Sequence, residues 1–95
     1  MRELEIIYDS RQSFYGKAIV ETTKTTYEQT KDLYSYGTLV ASIVYNFIDN
    51  IILYKYFGNY SQTTTRHQKE FFKQNELSDK EIKELFKNGT LEKEL

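Results

Sequence analysis

Apolar and polar residues alternate with a period of two through most of the first sixty positions, and with a helical period after that. Leu4, Ile6 and Tyr8 alternate with Glu3, Glu5 and Ile7, which predicts a first strand. Asp9-Ser-Arg-Gln-Ser13 is a polar turn cluster. Phe14 to about Thr25 reads as a long strand, with Ala18, Val20 and Thr22 on one face and Lys17, Ile19 and Glu21 on the other. Its β-branched residues suit a strand and resist a helix. Tyr27 to Tyr36 is less regular. There Thr30-Lys31-Asp32 reads as a turn and Asp32–Tyr36 as a short strand, with Gly37 supplying a bulge or tight bend. Thr38–Tyr45 and Ile51–Phe57 form a hairpin around the turn residues Asn46–Asn50. Both faces of that hairpin are apolar. This predicts the centre of a sheet, covered by helices on one side and partly covered on the other. Gly58-Asn59 ends the sheet.

The second region reads as two helices. Ser61 is the expected N-cap of a helix to Gln74 or Asn75, with Thr64, His67 and Phe71 on its packed stripe. Ser78-Asp-Lys-Glu81 is a capping box flanked by Leu77 and Ile82, followed by the stripe Ile82, Leu85, Phe86 and a stop at Gly89. Asp79 and Lys83 are expected to pair at i,i+4. The fold expectation is α+β: an antiparallel sheet of four to five strands followed by two C-terminal helices packed on one face. One domain spans 1–95, with the sheet in 1–60, the helices in 61–89 and a frayed tail at 90–95.

Charge changes the functional picture little. Lys and Arg number 13, Asp and Glu 14, for a net charge of −1. This is neither a basic nucleic-acid footprint nor an acidic mimic. Absence of cysteine removes disulfides, thiolate chemistry and sulfur-bound zinc, and suits a reducing cytoplasm. The N-terminus alternates charge and lacks a signal-peptide core, and Asn46, Asp49, Asn50 and Lys55 interrupt the apolar run Leu39–Phe57. These features predict a cytoplasmic protein.

Candidate chemistry is sparse. His67 is the single histidine, with Glu70 at i+3, and no further ligand cluster accompanies the pair. Packing of His67 at a helix–sheet junction is the simpler expectation. No Gly-x-Ser-x-Gly elbow or phosphate loop exists, because the four glycines are isolated. No catalytic residue, metal or cofactor is therefore assigned, and the chain reads as one that binds rather than transforms. Nine tyrosines exceed what one small core buries with every hydroxyl satisfied. Tyr15, Tyr34, Tyr36, Tyr54 and Tyr60 are the candidate contact residues, with Arg66, Lys69 and Lys73 as a basic stripe at their rim. An unpaired sheet edge would also allow a homodimer.

Three segments carry a resemblance: Tyr8–Ala18, with Ser-Phe-Tyr-x-Lys-Ala; Leu33–Ala41; and Tyr60–Phe72, with Tyr-Ser-x-Thr-Thr-x-Arg-His. Over most of residues 3–75 the chain resembles small proteins encoded by phages, plasmids and integrated elements of low-GC Gram-positive bacteria. The resemblance transfers no catalytic residue. It implies a host-cytoplasmic setting in which cofactor-free proteins often act as stoichiometric inhibitors of host machinery, anti-CRISPR proteins among them. The leading expectation is thus a non-enzymatic interaction protein, an inhibitor of a host defence nuclease, whose target is a protein or ribonucleoprotein. The alternative is a small nucleic-acid-binding accessory or regulatory protein that uses Arg66, Lys69 and Lys73.

Overall fold

The structure is a computed structural model that describes residues 1–58 and 60–95. Asn59, expected with Gly58 at the end of the sheet, lies outside the described residues. The elements are β1 (Arg2–Glu3), β2 (Ala18–Lys24), β3 (Glu28–Ser35), β4 (Thr38–Asn46), β5 (Ile51–Tyr56), α1 (Gln62–Gln74), α2 (Asp79–Asn88) and β6 (Thr90–Glu94). The strands form one antiparallel sheet in sequential order, β1 to β6. The helix pair is inserted between the neighbouring strands β5 and β6. The α+β class and the two helices are as expected; the sheet has six strands rather than four or five.

Local chemistry explains most boundaries. The β3–β4 connection is a two-residue turn with positive φ at Tyr36 (52°) and Gly37 (81°), the geometry that matches the twist of a hairpin. Leu33 pairs with Ala41 but Tyr34 with Leu39, so Val40 is the extra residue of a bulge. The Val40 carbonyl accepts the Phe57 N–H at 3.1 Å and the Gln68 side-chain amide at 2.9 Å, which ties α1 to the sheet. Ser61 caps α1 through the Thr64 N–H. Ser78 and Glu81 form the reciprocal capping box of α2, and Gly89 ends it at φ 83°.

Both helices lie on one side of the sheet. Val20, Leu33, Ala41, Ile43 and Tyr54 pack there against Phe71, Phe72, Ile82 and Leu85. The Tyr56 ring stacks on Phe86 at 4.1 Å, and Phe72 meets Phe71, Tyr54 and Phe86 edge-on or tilted. By strand alternation and register, the opposite side carries Ile19, Tyr34 and Leu39 in one row, and Thr23, Thr30, Val44 and Leu53 in another. No helix covers it among the described residues.

Four local expectations need correction. The first strand does not run from Leu4 to Tyr8; β1 ends at Glu3 because the N–H groups of Ile7, Tyr8 and Asp9 are taken by the Glu70 carboxylate instead of a strand. Thr30-Lys31-Asp32 is not a turn but the middle of β3; the chain reverses at Thr25–Tyr27, where the Thr25 hydroxyl accepts the N–H groups of Tyr27 and Glu28. Thr90–Leu95 is not a frayed tail: Thr90–Glu94 pairs with Ile51–Lys55, and Leu91 packs on the core. Asp79 pairs with Lys73 of α1 at 3.1 Å rather than with Lys83.

Candidate functional site

Helix α1 sorts its polar residues to two sides. Thr64, His67 and Gln68 point into the protein. The His67 Nδ1 lies 2.7 Å from the Ser35 hydroxyl, which is 3.0 Å from that of Thr64. Phe14 meets the imidazole edge at 4.4 Å and Tyr36 stacks on it at 5.8 Å. Burial, with help from nearby Arg11 and against the pull of Asp9, lowers the His67 pKa from its ordinary value. This Ser–His contact is sealed: His67 is 0% exposed and Ser35 3%. Both side chains are closed off from solvent, between α1 and the sheet.

Glu70 is also buried, and its role is to fasten the N-terminal segment. Its carboxylate accepts the N–H groups of Tyr8 at 2.9 Å and Asp9 at 2.8 Å, with Ile7 at 3.2 Å and the Gln74 amide at 2.6 Å. Arg66 adds an ion pair to Asp9 at 3.1 Å. With all its acceptor directions used, Glu70 is not placed as a metal ligand with His67, which faces Ser35.

Two concavities gather the expected contact residues. One, of about 520 Å³, lies along α1 and is lined by Tyr8, Asp9, Tyr60, Gln62, Thr65, Arg66, Lys69, Glu70 and Lys73. The Tyr60 ring rests against Gly58, where an added Cβ would stand 3.2 Å from Cε2. The other, of about 640 Å³, opens on the uncovered sheet side and is lined by Met1, Gly16, Lys17, Ile19, Glu21, Tyr34, Tyr36 and Gly37.

The expected contact residues are thus split. Tyr60, Arg66, Lys69 and Lys73 do come together, beside α1. Tyr34 and Tyr36 share the second concavity, and Tyr15 is 75% exposed in the loop before β2. Tyr54 does not belong with them. It is 2% exposed, its hydroxyl donates to the Asn75 carbonyl at 3.3 Å, and burial chiefly raises its pKa to about 12. Sequence reasoning missed Tyr8, Asp9 and Glu70 as members of the α1 concavity. The available signal was a carboxylate on the packed stripe of α1, which demands donors from elsewhere. It also missed Glu21 and Asp32, which stand opposite each other on the uncovered face only once β2 and β3 are in register.

No helix is long and apolar enough to cross a membrane, among the described residues. No curated protein and no solved structure matches the chain. A family model does, over residues 2–88, a span that takes in five strands and both helices. The chain therefore belongs to the family described as a family of unknown function, DUF8033.

Proposed function

We propose that this chain is a non-enzymatic interaction protein that engages a macromolecular partner through the uncovered face of its sheet. One observation carries the reading: both helices pack on the same side, which leaves Ile19, Tyr34, Leu39, Val44 and Leu53 on a face that no element covers among the described residues. An antiparallel sheet tolerates solvent on one side, but its solvated positions are then usually polar. Here the row Ile19–Tyr34–Leu39, the pair Val44–Leu53 and a concavity occupy that side. A standard interface takes about 800 Å² per partner, a modest part of the 6187 Å² surface. The inward commitment of His67, Ser35 and Glu70 to packing hydrogen bonds further supports binding over chemistry.

The finer reading is a cytoplasmic protein of a phage or mobile element that inhibits a host defence nuclease stoichiometrically, as anti-CRISPR proteins do. It rests on the sequence resemblance and on the small size of the fold. Co-expression with CRISPR nucleases, followed by pull-down and a cleavage assay, tests it. Wild type is expected to co-purify and to block cleavage, and a Tyr34→Ser/Leu39→Ser variant to do neither. Failure to bind any macromolecule and to inhibit any nuclease rejects the proposal.

A second reading has its own observation. Tyr8 and Tyr60 flank Arg66, Lys69 and Lys73 in the α1 concavity, an arrangement suited to stacking a base and holding its phosphate. It predicts single-strand binding that weakens with salt and is abolished by Arg66→Glu/Lys73→Glu. Salt-independent or absent binding removes it.

A further inference from the structure

The uncovered face is sharply acidic. Glu3, Glu21, Glu28, Asp32, Glu92 and Glu94 all occupy strand positions that point to it, and Lys55 is the one cation among those positions. Lys17, just before β2, also lines the concavity on this side, so of the chain's 13 Lys and Arg and 14 Asp and Glu this side takes two cations and six carboxylates. The rest of the molecule is consequently net positive, a sorting that the overall charge of −1 conceals.

Glu21 and Asp32 stand directly opposite each other in the β2–β3 register. Like charges in that position destabilise a sheet. Asp32 accepts the Ser42 hydroxyl. Among the described residues neither carboxylate has an ion-pair partner; the pairs join Arg66 to Asp9, Lys73 to Asp79 and Lys93 to Glu81, all away from this face. Beside them runs the row Ile19–Tyr34–Leu39, and Glu21, Ile19 and Tyr34 share the 640 Å³ concavity with Lys17, which forms no ion pair with Glu21. The pattern recurs at the other edge, where Glu92 and Glu94 lie opposite Leu53 and Ile51.

We infer that the surface which docks on this face is a basic protein surface, whose arginine or lysine side chains seat over Glu21 and Asp32 beside the Tyr34 ring. This rests on the interaction reading above and specifies the chemistry of the partner. A guanidinium fits best: it is planar, it stacks on aromatic rings, and its fork of donors matches carboxylates. The row Ile19–Tyr34–Leu39 and the pair Val44–Leu53 supply non-directional area, and the carboxylates supply orientation and selectivity. Nucleic acid does not fit, because its phosphates would meet six carboxylates.

Titration of the isotope-labelled protein with an arginine-repeat peptide, and separately with a glutamate-repeat peptide and single-stranded DNA, tests the inference by amide shift mapping. The arginine peptide is expected to shift amides of β2 to β5, while the other two leave this face unmoved. Neutralising the face with Glu21→Gln, Asp32→Asn and Glu92→Gln should weaken the arginine peptide about ten-fold, since each exposed pair adds modestly. These changes remove like-charge repulsion, so folding should survive. Absence of arginine-peptide binding at low salt, an unchanged affinity in the neutralised variant, or DNA shifts on this face would each overturn the inference. Applied to a co-purified partner, the variants separate the two claims. Retained binding by the neutralised variant but loss by Tyr34→Ser/Leu39→Ser would sink the basic-surface inference and leave the interaction reading standing.

Discussion

Glu70 shows how one side chain sets the path of a distant segment. Its partners Ile7, Tyr8 and Asp9 are more than sixty residues away in sequence, so no local pattern encodes the contact. Glu70→Gln would place an amide N–H against backbone N–H groups. We expect a loss of about 2–3 kcal/mol in urea unfolding, because charged hydrogen bonds to buried groups are costly to break. Hydrogen exchange at residues 7–9 should accelerate in the same variant. His67 was more legible, since its place on the Thr64–Phe71 stripe already pointed inward. Its lowered pKa has a defined consequence. The unfolded chain binds the proton more readily than the folded one, so stability is full above the ordinary value of 6.5 and declines as pH falls below it. The urea midpoint should therefore drop between about pH 7.5 and pH 5.5, a window above most carboxylate titration. In His67→Gln that dependence should vanish; a slope that persists would assign it to other groups.

Among the elements, those with strong local signals were legible: the two capped helices, the β4–β5 hairpin and the stop at Gly89. The misread ones depend on partners. Lys31 and Asp32 look like turn residues, yet Lys31 bonds the Asn75 side chain at 2.8 Å and Asp32 bonds Ser42, so both fit within β3. The segment after Gly89 holds one apolar residue, Leu91, between charged and polar neighbours, which reads as a solvated tail. It becomes a strand because β5 offers an open edge and the left-handed Gly89 turns the chain back along it, with Lys93 paired to Glu81 of α2 at 3.1 Å. Removing Thr90–Leu95 should lower the melting temperature and expose the Ile51–Tyr56 edge to association. Thermal unfolding and size-exclusion chromatography together check this; an unchanged melting temperature would mean that the strand adds no stability. Gly89→Ala should cost about 1 kcal/mol through the positive φ alone.

At the scale of the whole molecule, the sequence pattern marked apolar residues on both faces of the β4–β5 hairpin and left open which face the helices would choose. Two helices cover one side of six strands, and charge divides along the same boundary. A body with negative charge on one side and positive on the other is an electric dipole, whatever its total. The field it casts orients an approaching molecule before contact, and reaches about 10 Å at 0.1 M salt. Retention on chromatographic resins should reveal this. Near neutral pH both anion and cation exchangers are expected to hold the protein at low salt, each gripping an opposite flank. Weak retention on the anion exchanger and none on its counterpart, as a charge of −1 spread evenly would give, would show the polarity to be absent in solution.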